Sequence, residues 1–348
     1  MKLEMVSMPT RLIAMCFGPE AGGAFDIREV PRRKPGPDEV EIAVEAASVN
    51  PIDVRRAAGY GRRLLSFMGA SRFPMALGND FAGVVVAVGS GRASAFAIGQ
   101  RVYGVKPVSN DGTHASHVLA EAAHVCKAPA SRELQDLAAL PYSFVTMWLA
   151  ARGAGITRQV AEGKKILVHG AAGGLGRLAL QTLSAWGAQV TAVAKAADLS
   201  DCLQAGAVKA VDPDDNRFAN MRGAFDATLN FATWDDESKL LSCLREGALG
   251  QATTVHPLVQ SFDERGWIGG ALGVIQQKRK MRAALPRGAR NYGWILFRPE
   301  TEALSEMARL VELGRLSLPI GIRAPLRDAA KAFDHMRRHA PGRALLIP

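Results

Sequence analysis

Short apolar segments separated by glycine and proline dominate the first third of the chain. Alternation of apolar and polar positions predicts strands at 12–15, 24–27, 40–44, 84–88 and 101–105. The glycines and prolines between these segments favour tight turns over helices. The pattern therefore predicts a small, barrel-like, β-rich unit.

The pattern changes near residue 131, where helical and strand-like segments begin to alternate. We expect a helix that begins at a Ser131 cap and is interrupted by Pro141, with a helical pattern resuming at 146–154. The segments that follow alternate between strand and helix, at 166–169, 177–186, 189–194, 198–205, 208–211, 225–229, 236–245 and 251–255. Such alternation is typical of a doubly wound parallel sheet.

The last part of the chain predicts a final strand of this sheet at 294–297 and an amphipathic helix from Glu302 to Leu313. Short strands return in the tail, which we expect to rejoin the first unit. Because 348 residues exceed one small core, two domains are expected. We predict a β-rich domain of residues 1–130 and 316–348, and a parallel-sheet domain of residues 131–315.

Three glycines follow the strand at 166–169 at a spacing of three: Gly170, Gly173 and Gly176. Helical spacing of apolar residues begins directly after them. A pyrophosphate needs bare backbone N–H groups and the positive end of a helix, which a strand, a glycine turn and a helix provide. The segment therefore predicts a dinucleotide site, and an ordinary strand-to-helix turn is the alternative.

Lys195 follows the second strand of the parallel sheet, where an NAD site places an acidic residue against the ribose 2′-OH. A carboxylate would repel a 2′-phosphate, whereas an ammonium group attracts one. This position therefore predicts NADPH over NADH. The alternative is a surface lysine in a loop.

The stretch from Asn50 to Tyr60 contains polar groups that suit substrate binding. Asn50 could bind a nicotinamide or a substrate carbonyl, Asp53 could orient a neighbour, and Tyr60 could donate a hydrogen bond to a developing oxyanion. From spacing alone, an Asx-turn followed by an aromatic side chain is the better interpretation.

Composition narrows the class of protein further. The chain is 48% hydrophobic and 22% charged and has no apolar run long enough to span a membrane. The first residues show no pattern of a secretion or import signal, so we expect none. The four cysteines stand far apart and form no zinc pattern with the histidines, so we expect reduced thiols, a site without metal and a cytoplasmic protein. The net charge of +10 permits nucleic-acid binding, but the basic run at 278–282 has few aromatic neighbours and favours a solvated surface.

Several motifs occur in an order that is more specific than the glycine turn alone. They are Val49–Asp53, Gly78–Val84, Ala97–Val102, Gly170–Gly176 and Gly342–Leu345. Together they resemble the medium-chain dehydrogenase/reductase superfamily, and within it the zinc-independent quinone oxidoreductase group. The longer region 248–297, with Thr253–Pro257 and Tyr292–Phe297, most resembles the reticulon-interacting oxidoreductase branch.

The resemblance implies an α/β chain with a GroES-like catalytic domain, a Rossmann domain and a substrate cleft between them. It implies hydride transfer from NADPH to a quinone or activated enone, catalysed by a homodimer without membrane span or zinc. By position it implies a substrate-side hydrogen bond from Tyr60. The implied cofactor contacts are Asn50 and Thr146 at the nicotinamide, Gly170, Gly173, Gly174, Leu175 and Gly176 around the pyrophosphate, Lys195 at the 2′-phosphate, and Asn230 with Val255 beside the nicotinamide.

Departures from the family pattern leave alternatives open. Asn79 stands where the zinc alcohol dehydrogenases have a histidine, and Asn230-Phe231-Ala232-Thr233 replaces the usual Asp-x-x-Gly-Gly. One alternative is an enoyl-thioester reductase, whose CoA phosphate could meet the basic run at 278–290. Another is an NADPH-binding protein whose main role is interaction with RNA or a partner protein.

Overall fold

The computed structural model describes residues 9–215, 218 and 220–348, with the backbone alone for Arg92. The described residues form two compact units. The first contains the described residues up to Tyr142 together with Pro299–Ala308 and Pro319–Pro348, and the second contains Ser143–Arg298 and Arg309–Leu318. The domain limits expected at residues 130 and 316 stay a prediction.

The first unit is rich in β-structure. Its strands are β1 (Thr10–Cys16), β2 (Phe25–Pro31), β3 (Glu39–Val49), β4 (Met75–Ala76), β5 (Asp80–Val88), β6 (Arg101–Val105), β7 (His117–Glu121), β8 (Val125–Lys127), β15 (Ile320–Pro325) and β16 (Arg343–Ile347). Its helices are α1 (Pro51–Ala57), α2 (Leu64–Phe67), α3 (Leu134–Leu137) and α10 (Ala329–Arg337).

The long strand β3 organises this unit. The main sheet has the order β15-β16-β3-β5-β6-β8, β7 also pairs with β3, and a smaller sheet has the order β2-β1-β4. Because β3 alternates inward and outward, its apolar residues Val40 and Ile42 are fully buried in one core cluster, while Val49 at its end joins a second cluster with Leu346. The tail of the chain therefore returns to the first unit through β16.

The second unit alternates strands and helices. Its strands are β9 (Lys165–His169), β10 (Gln189–Val193), β11 (Lys209–Val211), β12 (Ala227–Asn230), β13 (Gly250–Thr253) and β14 (Asn291–Trp294). The helices that follow them are α5 (Gly174–Ala185), α6 (Leu199–Gln204), α7 (Glu237–Cys243) and α8 (Leu258–Ala283). Two more helices, α4 (Pro141–Gly153) and α9 (Thr301–Glu312), each contain a limit between the units.

The sheet of the second unit is parallel throughout, in the order β11-β10-β9-β12-β13-β14. This is the strand order of a Rossmann fold, so the predicted fold class, a β-rich GroES-like domain with a doubly wound parallel sheet, is confirmed. The register is flush: the last residues of the strands pair with one another across the sheet, at Val211, Val193, His169, Asn230, Thr253 and Trp294. The segments that leave the carboxyl ends of the strands therefore emerge along one edge.

Two local expectations were wrong in detail. The last strand of the sheet is β14, Asn291–Trp294, and not 294–297, because its register is fixed by pairing of Gly250 with Asn291 and of Thr253 with Trp294. Pro141 does not interrupt a helix: α3 already ends at Leu137, and Pro141 is the first residue of α4, where its missing N–H has no helical acceptor to lose.

No helix in the part of the chain that the structure describes is long and apolar enough to cross a bilayer.

Candidate functional site

The glycine turn lies at the centre of the carboxyl edge of the parallel sheet. Gly170 directly follows β9 with a φ of 76°, a conformation that residues with a Cβ atom rarely adopt. The N–H groups of Gly170 and Ala171 both donate to the carbonyl of Val193 at 3.1 Å, and the N–H of Gly173 donates to Gly170 at 3.2 Å. These bonds tie the turn to β10 and set the point at which α5 begins.

The amino end of α5 is open to an anion. Gly173 caps the helix without any side-chain hydrogen bond, and the N–H of Arg177 donates to the Gly173 carbonyl at 2.8 Å. The N–H groups of Gly174, Leu175 and Gly176 precede this bond and so have no acceptor within the helix. They point along the positive end of the helix dipole, where a phosphate binds.

Gly173, which precedes α5, and Gly176, in its first turn, have different roles. A Cβ atom at Gly176 would lie 2.2 Å from the carbonyl oxygen of Gly170, so only glycine lets the helix pack this closely against the turn. A Cβ atom at Gly173 would have only the Gly170 oxygen near it, at 3.5 Å. The space at Gly173 is therefore free for a ligand, and the turn fits a pyrophosphate.

Lys195 lies two residues beyond the carboxyl end of β10, on the same edge of the sheet. Its side chain is exposed and forms no ion pair with any described residue. Nearby, Arg177 on α5 forms a 2.8 Å ion pair with Asp201 on α6. No carboxylate occupies the two positions directly after β10, so this point can accept an anionic ribose substituent.

Asn230 ends β12 and is fully buried. Its amide nitrogen donates to the carbonyl of Thr233 and to the Glu237 carboxylate, both at 2.8 Å, and its amide oxygen accepts the N–H of Ala232 at 3.2 Å. Its backbone carbonyl accepts the N–H of Thr254 at 3.1 Å. Asn230 therefore fixes the loop 230–233 that replaces the glycine-containing loop of the family.

A buried carboxylate continues this hydrogen-bond chain. Glu237 accepts from Asn230 with one oxygen and from the Tyr292 hydroxyl with the other, the latter at 2.8 Å, and the Tyr292 oxygen accepts the indole N–H of Trp294 at 2.9 Å. Burial raises the pKa of Glu237 and of Tyr292. The chain joins the ends of β12 and β14 through α7.

The ring of His256 stacks on Trp294, with centroids 5.1 Å apart and an angle of 1° between the planes. A ring nitrogen of His256 lies 3.0 Å from the carbonyl oxygen of Ile295. Val255, just before it, donates its N–H to the Thr253 hydroxyl at 3.2 Å and is half-buried. Asn230 ends β12 and Val255 follows the neighbouring strand β13. Both residues therefore lie on the edge of the sheet where the glycine turn follows β9.

Sequence reasoning did not single out Glu237. Its signal was weak because an acidic residue at the start of a helix also suits the helix dipole, and its partners lie 7 and 55 positions away.

Thr146, predicted to lie near the nicotinamide, is a buried residue of α4 in the second unit. Its contact with a cofactor stays a prediction.

In the first unit, Asn50 caps α1 where the chain leaves β3. Its backbone N–H donates to the Asp53 carboxylate at 2.8 Å, and the other oxygen of Asp53 accepts the N–H of Gly78 at 3.0 Å. This capping box confirms a structural role for Asp53 in holding the amino end of α1 against the segment before β5.

The side chain of Asn50 lies in a buried polar cluster. Its amide nitrogen donates to Ser48 at 3.0 Å and to Asp80 at 3.1 Å, and its amide oxygen accepts from Arg343. Asp80 also accepts the N–H of Tyr142 at 3.1 Å, and burial raises the pKa of Asp80 to about 7. Both amide hydrogens of Asn50 thus have partners within the protein, and its contact with the nicotinamide stays a prediction.

Tyr60 lies on a tight turn after α1, between Gly59 and Gly61, whose φ angles are 89° and 80°. The guanidinium of Arg55 lies 3.8 Å above the tyrosine ring, and the Tyr60 N–H donates to the Arg55 carbonyl at 2.9 Å. These contacts hold a half-buried phenol at a defined place on the first unit. Its contact with a substrate stays a prediction.

Asn79 is the residue that the sequence resemblance aligns with the histidine of the zinc alcohol dehydrogenases. It is fully buried, and its amide nitrogen donates to the Lys106 carbonyl at 3.3 Å. Among the described residues there is no group of three or more histidine, cysteine, aspartate or glutamate side chains arranged to hold a metal ion.

Two family descriptions match the chain. Residues 36–144 match the alcohol dehydrogenase GroES-like domain, and residues 205–344 match the zinc-binding dehydrogenase family. The NAD(P)H oxidoreductase RTN4IP1, mitochondrial, of Mus musculus is 31% identical over 89% of this chain and 82% of its own length.

Two further proteins are similar to this chain, one in sequence and one in structure. A mycocerosic acid synthase-like polyketide synthase of Mycolicibacterium smegmatis is 39% identical over 47% of this chain, which corresponds to 7% of that protein. The quinone oxidoreductase of Coxiella burnetii has the same fold, with a TM-score of 0.76, 22% identity, and coverage of 97% of this chain and 99% of that one.

The difference between Gly173 and Gly176 predicts two distinct mutant phenotypes. Gly173→Ala should leave thermal unfolding unchanged but weaken dinucleotide binding by about tenfold or more, because its methyl group enters the space for the pyrophosphate. Gly176→Ala should destabilise the fold by about 1–3 kcal/mol, because its methyl group overlaps a backbone oxygen. Fluorescence titration with the cofactor and thermal unfolding measure the two effects. Equal changes in cofactor binding and in thermal unfolding for the two variants would refute the assignment of the glycine turn as the pyrophosphate site.

Proposed function

The chain belongs to the medium-chain dehydrogenase/reductase superfamily as an NAD(P)H oxidoreductase, and from that premise we propose that NADPH donates a hydride to a quinone or an activated enone. The observation that carries the proposal is the set of groups at the carboxyl edge of the parallel sheet. There the amino end of α5, which has no side-chain cap, and Lys195, which forms no ion pair with a described residue, adjoin the ends of consecutive strands. The two cationic features match the pyrophosphate and the 2′-phosphate of NADPH.

Each predicted cofactor residue then has a stated role. Gly173, Gly174 and Leu175 would bind the pyrophosphate with backbone N–H groups, and Gly170 and Gly176 would shape the turn. Asn230 and Val255 would form the nicotinamide side of the edge, with Asn230 held by its hydrogen bond to Glu237 and Val255 by its hydrogen bond to the Thr253 hydroxyl. Thr146 and Asn50 complete the proposed set, the latter by holding the end of β3 through Asp80 and Arg343.

When bound, NADPH would supply a hydride to a carbon conjugated with the acceptor carbonyl. The oxygen of that carbonyl then becomes an enolate or a quinol oxygen. The work of the protein is to orient the reactants and to stabilise that oxygen. We assign the stabilising hydrogen bond to the Tyr60 hydroxyl, which the Arg55 contact holds in place. Water is the alternative proton source for the product.

We propose that the reaction needs no zinc. The reason is the donor set: an amide at Asn79 replaces an imidazole and is a poor zinc ligand, and the cysteines of the described chain stand apart as free thiols. The acceptor carbonyl is already conjugated, so a Lewis acid is not required to polarise it.

A second candidate is the reduction of an enoyl thioester. The observation that favours it is the 39% identity, over 47% of this chain, with a mycocerosic acid synthase-like polyketide synthase. Hydride transfer to an enoyl thioester uses the same cofactor site, so only the acceptor differs.

The proposed homodimer and the cytoplasmic location stay predictions. The name of the mouse relative assigns that protein to mitochondria. Neither property enters the mechanism above.

An assay of NADPH oxidation over quinones, small enones and crotonyl-CoA tests the proposed acceptor, with Tyr60→Phe as the variant. We expect turnover with quinones or enones, and a loss of about 10²-fold in kcat/KM in Tyr60→Phe because one oxyanion donor is removed. Tyr103→Phe is the matched control, because it makes the same change in a buried tyrosine of β6 to which no role at the site is assigned. Turnover of crotonyl-CoA alone would support the second candidate. Unchanged kcat/KM in Tyr60→Phe would remove the role of Tyr60, and inactivity toward every acceptor would overturn the proposed activity.

Cofactor choice depends on Lys195. Lys195→Ala should raise the KM for NADPH by about tenfold while leaving the KM for NADH unchanged, because one charged partner of the 2′-phosphate is lost. Lys209→Ala is the control, since Lys209 is an exposed lysine at the opposite end of a neighbouring strand. Steady-state kinetics with both cofactors measure the effect. Equal changes for NADPH and NADH, or none, would contradict the assignment.

A further inference from the structure

Helix α8 exposes a row of large apolar side chains. Ile268, Leu272 and Ile275 are 80%, 64% and 48% exposed. Their spacing of four and three residues puts them on one face of the helix. Buried side chains of the same helix, such as Met281, lie on the opposite face. A contiguous apolar row of this kind marks an interaction surface, unlike single exposed apolar residues.

A break in the helix produces this surface. Gly266 has a φ of 69° and a ψ of −171°, so α8 consists of a segment before it and a segment after it. A Cβ atom at Gly270 would lie 2.9 Å from the Cα atom of Phe262, and one at Gly273 would lie 2.9 Å from the guanidinium of Arg265. The first segment therefore packs on the glycines of the second. The row Ile268–Leu272–Ile275 points away from both that contact and the core.

The same face becomes cationic toward the carboxyl end of α8. Arg279 continues the spacing, four residues after Ile275, and Lys280 and Arg282 are also exposed. The nearby Lys278 is instead half-buried, with its ammonium group 5.7 Å from the ring centroid of Trp294. Because successive residues are about 100° apart around a helix, the face with the three aliphatic side chains continues into Arg279 and Arg282, and the exposed Lys280 lies at its side.

This order of groups fits an anionic lipid surface. Aliphatic side chains enter the boundary between headgroups and acyl chains, while adjacent Lys and Arg side chains bind the phosphates. A symmetric pair of copies would bring two sets of the same cations into one interface, with like-charge repulsion. A nucleic acid would meet the cations but give no apolar environment to Ile268 and Leu272. The net charge of +10 adds attraction to an anionic bilayer.

We propose that the second segment of α8 docks the protein on anionic membranes, with Ile268, Leu272 and Ile275 inserted and Arg279, Lys280 and Arg282 at the headgroups. Binding is peripheral, because no described helix can cross the bilayer. The surface lies outside the residues assigned to the cofactor, so the proposal does not depend on the proposed activity.

Flotation with vesicles tests the proposal. The intact protein is mixed with vesicles of phosphatidylcholine alone, or of phosphatidylcholine with phosphatidylglycerol. We expect binding to the anionic vesicles, weak binding to the neutral ones, and release as salt is raised, because screening weakens the phosphate contacts. Absence of binding to the anionic vesicles at low salt would overturn the proposal.

Matched variants separate the two components. Ile268→Ser with Leu272→Ser should weaken binding by at least about tenfold, because two inserted side chains lose their apolar burial. Arg279→Ser with Arg282→Ser should weaken it by about fivefold for each charge removed. Ile98→Ser with Val208→Ser is the control, since these side chains are 70% and 66% exposed elsewhere in the chain. Equal loss in the control pair, or none in the α8 pairs, would contradict the assignment of the surface.

Two further readouts keep the result specific. Thermal unfolding and NADPH oxidation with a water-soluble acceptor should be unchanged in every variant, because these exposed residues carry neither the core nor the cofactor site. Sedimentation of the Ile268→Ser, Leu272→Ser protein should match that of the unmodified chain. A change of oligomeric state would show that a second copy covers this face. If RNA competes with the vesicles for binding, and the α8 apolar variants bind as the unmodified chain does, the surface binds nucleic acid. Either result would overturn the membrane proposal.

Discussion

The contact between Gly176 and the carbonyl of Gly170 is the constraint on which the rest of the second unit depends. Only without a Cβ atom can α5 begin this close to the end of β9, since the oxygen would lie 2.2 Å away. The positive end of α5 is thereby fixed at the middle of the carboxyl edge. Because the parallel strands end in register, Lys195 and Asn230 leave the sheet on either side of it. The geometry of the proposed cofactor site therefore follows from one backbone contact.

A second requirement of the proposed cofactor site is a rigid side for the nicotinamide. The loop after β12 lacks the glycines common in the family, and its shape is instead held by side chains. Asn230, Glu237 and Tyr292 form a continuous buried hydrogen-bond chain, so removal of any one would break hydrogen bonds of buried polar groups. In the first unit, Asp80 and Arg343 hold Asn50 in a comparable way. Both units thus use buried polar clusters to position strand ends.

Local features could be predicted from the sequence, and features set by distant partners could not. The glycine turn, Lys195 and the parallel sheet follow from short-range spacing and periodicity. The last strand was placed three residues too late, because only pairing with β13 fixes its register. Glu237 was missed because its partner Tyr292 lies far along the chain. The exposed face of α8 depends on the break at Gly266, which a glycine-rich helical pattern does not reveal.

The central claim is that this edge delivers a hydride directly to carbon without a metal. The most direct measurement uses NADPH that carries deuterium at both C4 positions of the nicotinamide, with a small enone as acceptor and the product analysed by mass spectrometry and NMR. The account predicts deuterium on the carbon β to the carbonyl, one atom for each NADPH oxidised, and the same yield from protein treated with a chelator and shown by elemental analysis to contain no zinc. Hydrogen from solvent at that carbon, or turnover that requires added zinc, would contradict it.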